Sequence, residues 1–407
     1  MSRSDAPSAL DVRPLLSPLL AACALALLLG LQPVTTDVYL PALPMLTRAL
    51  AAPMQQVQLT MSALILAFGI AQMVWGPVAD RVGRRPVLLA GMGLYTVASV
   101  GCVLVGDIQT LVAWRVVQGA AMAAAVVCAR AIVRDLYAPA EGARVMTLAL
   151  SGLGAIALVG PALGGVVAWA FGWRGPLVVV ALVGAATLAF VAAKLPETLL
   201  LKNPRATAPA TLLRTWWAIA GDPVFRAWAL LVACTYGGLF TFLASSAFVF
   251  VDVLGFTPAG YGAAMALGSL SYIAGTFACR RWIVRHGSAG AVSRGAWFTL
   301  AGGAGTALSL ALGVHTWWTV LLPFCLFVFG HGIHQPCGQA GVVAPFPRAA
   351  GSASALAGLL LSLVAFGIGR WLGGAIDGTA RPLSQGLIFW SLLTCGVAWT
   401  LVQRQAR

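Results

Sequence analysis

Long apolar stretches recur along the whole chain and restrict what it can fold into more than any other feature. Each stretch continues for roughly 18–25 residues, which is long enough to cross a bilayer as a helix. The stretches are continuous and do not alternate at every second residue, so a transmembrane β-barrel is excluded. Of the 407 residues, 60% are hydrophobic and 9% are charged, whereas soluble domains have about 25% charged residues. The sequence therefore predicts an all-α integral protein of the lipid bilayer.

The apolar stretches define twelve predicted spans, and both termini are expected in the cytoplasm. The spans cover approximately residues 16–40, 56–78, 86–106, 109–131, 145–169, 174–194, 225–251, 258–280, 292–314, 316–340, 350–374 and 382–402. The longest polar interval, near residues 195–223, separates six spans from six. We therefore predict a six-helix bundle over residues 1–195, a cytoplasmic linker over 196–223 and a second six-helix bundle over 224–407.

Lysine and arginine lie mainly on one side of the predicted spans. With a cytoplasmic N-terminus, twenty of them fall at cytoplasmic ends and loops, and only Arg48, Arg174 and Arg381 fall in outer loops. This bias follows the positive-inside rule and sets the orientation. The net charge of +14 then reflects topology, so no nucleic-acid partner is expected.

Asp37 is the acidic residue that lies within or at the edge of an apolar span. A carboxylate at membrane depth costs about 2.5–3.5 kcal/mol on insertion scales, which makes it a functional candidate. The helix-breaking residues Pro41 and Pro44 follow it. We interpret Asp37 as a group that binds a proton or a substrate. The alternative is an aspartate at the outer end of a helix, in contact with headgroups and water, because the apolar run ends close to Thr35.

The fourth span carries a second charged residue. Arg115, Gln118 and Gly119 are spaced at i, i+3 and i+4, so they share one helix face. A guanidinium inside a membrane must face protein or water and find a partner. Arg115 is therefore a candidate coupling residue, although an arginine near a helix end can also extend to the interface. The sequence leaves open whether Arg115 pairs with Asp37.

Two glycine-containing segments have a clear physical interpretation. Residues 76–86 (GPVADRVGRRP) combine an acid, three arginines and two glycines. Gly76 allows a close helix approach, Gly83 suits a turn with positive φ, and Asp80 can pair with an arginine or cap a helix. In the fifth span, residues 160–165 (GPALGG) place small residues on one helix face, where they allow close packing.

Aromatic and amide side chains are candidates for an apolar substrate cavity. The predicted cavity residues are Tyr39, Gln118, Tyr236, Phe240 and Gln335. Packing against other helices or lipid explains each aromatic residue singly just as well. His331 and His334 share a face, but no acid or cysteine at suitable spacing completes a metal site. The eight cysteines form no CxxC pair, so neither a metal nor a cofactor is predicted.

The motifs together resemble a known family. Residues 76–85 resemble the signature between spans two and three of the major facilitator superfamily, Gly-x-x-x-Asp-Arg-x-Gly-Arg-Arg. The resemblance implies a cytoplasmic gate that holds the two halves together. Residues 115–119 resemble the Arg-x-x-Gln-Gly motif implicated in proton coupling, and residues 160–165 resemble the Gly-Pro motif of exporters that exchange substrate for protons. The residues assigned in this way are Gly76, Asp80, Arg81, Gly83 and Arg84 in the gate, Arg115 in coupling, and Gly160, Pro161 and Gly164 in the antiporter helix.

A narrower resemblance is to the bicyclomycin- and chloramphenicol-resistance branch of these drug:proton antiporters. Its residues are 37–44 (DVYLPALP), 129–135 (ARAIVRD) and 351–358 (GSASALAG), which adds Asp135 to the gate. The resemblance implies a monomer that exports small antibiotics across the bacterial inner membrane, driven by protons, through alternating access. An exporter of an endogenous amino acid, sugar or siderophore-like compound is the alternative. Two departures are the single acid in span one and Cys279 at the position that matches Asp80 in the second half.

An intramembrane enzyme is not expected. A metalloprotease would contain His-Glu-x-x-His and a serine hydrolase would contain Gly-x-Ser-x-Gly. Neither motif occurs in the sequence.

Overall fold

The computed structural model describes residues 17–137, 139–314 and 316–405, in which every regular element is helical. The helices are α1 (Pro18–Asp37), α2 (Leu43–Ala49), α3 (Met54–Val82), α4 (Arg84–Leu104), α5 (Ile108–Leu136), α6 (Pro139–Phe171), α7 (Arg174–Lys194), α8 (Pro209–Gly221), α9 (Pro223–Phe248), α10 (Pro258–Ala311), α11 (Trp317–Val343), α12 (Ala350–Ala375), α13 (Arg381–Trp399) and α14 (Leu401–Gln405). The all-helical prediction is confirmed for these residues. The predicted N-terminal cytoplasmic segment before residue 17, and the last two residues, lie outside the described ranges.

Ten of the described helices are long and apolar enough to cross a membrane, and α6 contributes a further apolar segment, Leu158–Phe171. Helix α10 has 54 residues, which corresponds to about 80 Å at 1.5 Å per residue. This length is more than twice the hydrocarbon thickness of roughly 30 Å. Gly287 interrupts α10 with φ 69° and ψ 174°, between the predicted eighth and ninth spans. The chain is thus a multi-pass membrane protein, and the count of twelve spans stays a prediction.

Several helices begin at a side chain that caps the free N–H groups of the first turn. At the start of α5, the Asp107 carboxylate accepts a hydrogen bond from the backbone N–H of Thr110 at 2.8 Å. At the start of α9, the Asp222 carboxylate accepts one from the N–H of Phe225 at 2.7 Å. Pro223 occupies the first position of α9, where its missing N–H has no consequence. The local sequence therefore determines where α5 and α9 begin.

Helix α8 lies inside the segment predicted as a linker, and the sequence analysis did not predict it. Ile219 is 1% exposed, and α8 packs against α9 and α12. Leu213 and Trp217, four residues apart, are exposed. Thr211 and Thr215, four residues apart, give α8 a polar face as well, so the helix is amphipathic. The polar residues around it obscured its period.

We call α1–α7 the first half and α9–α14 the second half. The most extensive contacts between the halves are those of α3 with α12 and of α6 with α10. Glycine sits at both contacts: a Cβ at Gly69 would overlap Ser362, and a Cβ at Gly262 would overlap the carbonyl oxygen of Pro161. Small residues at such positions let membrane helices approach to backbone contact.

The bundle has two ends, which we name by their residues. The basic face carries the α3–α4 connection, with Arg81, Arg84 and Arg85, and the segment between α7 and α9. The opposite face carries the connections α2–α3, α4–α5, α6–α7 and α12–α13, together with the segment between α9 and α10.

The α3–α5 contact predicts a difference between two glycines. A Cβ at Gly119 would overlap the Leu64 carbonyl oxygen, whereas a Cβ at Gly93 would have nothing within 4 Å. We expect Gly119→Ala to lower the free energy of unfolding by about 1–3 kcal/mol, as overpacking does. Gly93→Ala should leave it unchanged or raise it by up to about 1 kcal/mol, because alanine favours helix. Thermal unfolding of the two purified variants measures this, and equal melting temperatures would contradict the α3–α5 packing.

Candidate functional site

Asp37 is the last residue of α1 and is partly exposed. Its Oδ1 accepts a hydrogen bond from Thr36 Oγ1 at 2.7 Å. A Cβ at Gly160 of α6 would lie 3.5 Å from Asp37 Cβ, and a Cβ at Gly164 would overlap the Val38 carbonyl oxygen. The glycines of the predicted antiporter motif therefore let α6 lie directly against the end of α1. Any larger residue at Gly164 would push α6 away from Asp37.

The same segment of α6 contacts the second half. A Cβ at Gly165 would overlap the carbonyl oxygen of Pro258, the first residue of α10. Asp37 is also close enough to Tyr236 of α9 and Tyr261 of α10 for its charge to act on both. The carboxylate thus lies beside α6 and near two helices of the second half. A change in its charge can be transmitted to both halves.

Arg115 is 0% exposed and has no carboxylate partner among the described residues. Its guanidinium donates to Gln118 Oε1 (2.7 Å) and to the Thr35 carbonyl oxygen (3.5 Å). It also lies 3.9 Å from the centroid of the Tyr39 ring, at a distance typical of cation–π contacts. Its Nε has no hydrogen-bond partner in the described structure.

The ion pair between Arg115 and Asp37, which the sequence left open, is not formed. The three ion pairs of the described residues involve other side chains. The reason is helical phase, because residues two apart differ by about 200° around a helix of 3.6 residues per turn. Thr35 faces α5 and Arg115, so Asp37 faces α6.

A buried polar cluster in the first half holds Arg115 in place. Gln118 Nε2 donates to Ser99 Oγ at 2.7 Å, and Tyr39 OH donates to Thr60 Oγ1 at 3.0 Å. Thr35 Oγ1 and Tyr95 OH are 2.5 Å apart. Hydrogen bonding of this kind is what a buried charge requires. Sequence reasoning named Tyr39 and Gln118 but missed the other members of the cluster.

The structure places the predicted cavity residues in different surroundings. Tyr39 and Gln118 are fully buried within the first half. Tyr236 is partly exposed and stacks on the buried Phe240, with ring centroids 6.2 Å apart. Gln335 is half-buried, and its Oε1 has no partner among the described atoms. Substrate binding by these residues stays a prediction.

The histidines of α11 contact neighbouring helices. His331 Nδ1 is 3.0 Å from Thr235 Oγ1, and His334 Nε2 is 3.2 Å from the Val292 carbonyl oxygen. Among the described residues, no group of three or more His, Cys, Asp or Glu side chains could hold a metal ion.

The predicted gate residues form a charge network on the basic face. Arg84, 5% exposed, bridges two acids: its Nη1 lies 2.6 Å from Asp80 Oδ1, and its Nε lies 3.0 Å from Asp135 Oδ2. Arg81 is exposed and donates to Thr207 Oγ1 of the linker at 2.8 Å. These bonds tie the α3–α4 connection to the end of α5 and to the linker, all within or next to the first half.

The two glycines of this motif differ in how crowded their positions are. Gly83 has φ 122°, a backbone conformation that favours glycine, and a Cβ there would overlap the Glu197 carboxylate. Gly76 is less crowded, since a Cβ would lie 3.7 Å from Val127 Cγ1. The conformation of Gly83 ends α3 and begins α4.

Glu197 belongs to this network, and the sequence analysis did not assign it a role. Its Oε1 accepts from the backbone N–H of Arg84 at 2.9 Å, and its Oε2 accepts from that of Arg85 at 3.1 Å. Glu197 therefore caps the N-terminus of α4 from 113 residues away in the chain. Partial burial raises the pKa of Glu197, but the backbone donors of Leu199, Arg84, Arg85 and Thr198 outweigh it and lower the pKa.

The chain belongs to the Major Facilitator Superfamily, whose family profile matches residues 25–370. This is a family of transporters. The fold agrees, because a bacterial homolog of the human lysosomal transporter Spinster superposes with a TM-score of 0.72. That comparison covers 95% of this chain and 97% of the other, at 15% identity, and shows the fold alone.

Three curated relatives align over most of the chain. Multidrug resistance protein D of Escherichia coli is 29% identical over 83% of this chain and 84% of its own. The chloramphenicol resistance protein of Pseudomonas aeruginosa is 28% identical, with coverage of 90% and 82%. The bicyclomycin resistance protein homolog of Haemophilus influenzae is 25% identical over 90% of both chains. The predicted resemblance to this branch is confirmed.

The Glu197 cap predicts a pH-dependent contribution to stability. Glu197→Gln should lower the free energy of unfolding by about 1 kcal/mol, because the amide keeps one acceptor oxygen but loses the other together with the negative charge. Because the folded pKa lies below the ordinary value of 4.5, the stabilisation is complete above that pH and is lost as pH falls through the lowered pKa.

Melting temperatures of the wild type and of Glu197→Gln would therefore differ by a constant amount from about pH 5.5 to 8 and converge at lower pH. Glu141→Gln, at an exposed acid of the first turn of α6, is the matched control and should lower the melting temperature less than Glu197→Gln does, because it loses only a solvent-screened interaction with the helix dipole. A difference that grows on acidification would contradict the ionised cap.

Proposed function

We propose that this protein exports small amphipathic antibiotics, of the chloramphenicol or bicyclomycin kind, across the bacterial inner membrane in exchange for protons. The observation that carries the proposal is the position of Asp37. It is a partly exposed carboxylate at the end of a membrane helix, beside the glycines of α6 and near Tyr236 and Tyr261 of the second half. The names of the three relatives support the class of substrate.

Exchange follows if Asp37 holds either a proton or the drug. Protonation removes the negative charge, so a drug that depends on the carboxylate or on its solvation is released. Drug binding in turn favours the loss of the proton. The fixed charge of Arg115 lies on the other side of α1, against the Thr35 carbonyl, where it contributes a constant positive potential without neutralising Asp37.

The orientation supports export from the cytoplasm. We assign the basic face to the cytoplasm, with both termini inside and twelve spans, because the predicted spans put twenty basic residues on that side and three on the other. On the opposite face, Arg48 pairs with Asp252 of the second half at 2.9 Å. Gln58 Nε2 also donates to the Ala244 carbonyl of the second half at 2.7 Å. These bonds between the halves favour a state closed toward the periplasm.

The network around Arg84 would set the shape of the cytoplasmic end. Because Arg84 holds Asp80 and Asp135 together, the α3–α4 connection and the end of α5 move as one unit. We propose that this unit, with Gly76, Arg81 and Gly83, biases the opening of the cytoplasmic side. The working unit is a monomer, as in the family that it resembles.

Replacement of Asp37 tests the proposal. In everted vesicles energised by a proton gradient, we expect Asp37→Asn to reduce the accumulation of radiolabelled chloramphenicol at least tenfold, because the variant cannot exchange a proton. Asp107→Asn is the matched control, since Asp107 is exposed and keeps its capping oxygen. It should transport within twofold of the wild type.

Proton-driven transport by Asp37→Asn at the wild-type rate would remove Asp37 from the mechanism. Release of an endogenous metabolite, with no antibiotic accumulation by the wild type, would instead favour the alternative substrate class. Measuring the melting temperature of each variant separates loss of transport from loss of fold.

A further inference from the structure

A pocket opens on the opposite face, and none of the predicted site residues lines it. It lies between Met54 at the start of α3, the end of α9 with the π-helical turn Val249–Val253, and the α12–α13 connection. Its volume is about 130 Å³, and it is partly open to solvent. An apolar cavity of roughly 150 Å³ holds benzene. The pocket is therefore large enough for one group of about the size of an aromatic ring or a trimethylammonium, and the rest of a ligand would extend toward solvent.

The lining is apolar except for one carboxylate and two hydroxyls. Met54, Phe248 and Leu383 contribute apolar surface. The hydroxyls are already engaged, because Ser245 Oγ donates to the Thr241 carbonyl at 2.6 Å and Thr379 Oγ1 donates to Asp377 Oδ1 at 2.6 Å. The charge of Asp252 is thus the main polar feature that this pocket offers to a ligand.

The position of Asp252 is unusual because it belongs to the π-helical turn that ends α9. Such turns are rare and often occur at functional sites. Its Oδ1 pairs with Arg48 Nη2 at 2.9 Å, and the two side chains are 32% and 80% exposed, respectively. An ion pair this exposed contributes little to stability. A ligand cation can therefore replace Arg48 at Asp252 without a large loss.

We propose that this pocket binds small amphipathic organic cations. The ammonium group would pair with the Asp252 carboxylate, and the apolar body would lie among Met54, Phe248 and Leu383. Arg48 would act as an internal competitor for the same carboxylate. The proposal does not depend on Asp37 and concerns a different class of ligand from the weakly charged antibiotics proposed above.

Binding in this pocket would have a consequence for the opposite face. Arg48 belongs to the first half and Asp252 to the second, so their ion pair joins the halves at this face. A cation that displaces Arg48 removes this link while it occupies the pocket. It would therefore favour the state in which the opposite face is open.

Equilibrium binding of benzyltrimethylammonium to the full-length protein in lipid nanodiscs tests the site. We expect Asp252→Asn to weaken binding at least tenfold and Arg48→Ala to strengthen it at least threefold, because the competitor is removed. If Asp252 served only to hold Arg48, the two substitutions would change binding in the same direction. Neopentylbenzene, the uncharged carbon isostere, should show no dependence on Asp252.

Two further variants keep the result interpretable. Thr379→Trp, at an exposed lining residue, should block the pocket and reduce binding to the level of Asp252→Asn. Asp107→Asn, at an exposed acid of the same face that does not line the pocket, should bind benzyltrimethylammonium as the wild type does, which shows that the effect belongs to Asp252 and not to any acid of this face. Wild-type affinity in both Asp252→Asn and Thr379→Trp, or weaker binding in Arg48→Ala, would overturn the proposal.

Discussion

The close backbone contact of α6 with α1 and α10 is the interaction on which the arrangement of the two halves depends. Helices in a bilayer gain no hydrophobic free energy from pairing, because lipid chains are as apolar as leucine. Their association depends on van der Waals contact, which glycine permits at Gly164 and Gly165. One side of this helix segment meets Val38 beside Asp37, and the other meets Pro258 of the second half. The candidate proton site and the junction between the halves are therefore built on the same few residues.

The charges of Arg115 and Asp37 have different surroundings. Arg115 is enclosed, with an amide, a carbonyl and an aromatic ring around the guanidinium. Asp37 has one hydroxyl partner and remains partly exposed. A charged group with several fixed hydrogen-bond partners keeps its charge and its position. A charged group with few partners can exchange them for a proton or a ligand. This difference agrees with the proposed roles, a permanent positive potential at Arg115 and a titratable group at Asp37.

Much of the architecture could be predicted from the sequence because membrane helices follow local rules. Apolar length indicated the helices, and Gly287 marks a boundary that the predicted eighth and ninth spans already implied. The different directions of Asp37 and Thr35 could also be predicted, because they follow from the 3.6 residues per turn of an α-helix. The Glu197 cap and the Arg48–Asp252 pair were not predictable, because they join residues 113 and 204 apart in the chain. The amphipathic face of α8 was missed within a segment chosen for its polarity.

The anchoring of the linker limits how far the halves can separate on the basic face. The linker backbone is tied to the first half at Asn203, whose N–H donates to the Asp80 carbonyl at 2.9 Å; beyond it, an exposed side-chain bond joins Arg81 to Thr207. Helix α8, which packs on the second half, begins at Pro209. Six peptide units therefore form the tether, and at roughly 3.3–3.6 Å per residue it spans at most about 20 Å. Lengthening this tether with glycine and serine would widen the permitted opening, and shortening it would hold the entrance narrow whatever occupies the transport site.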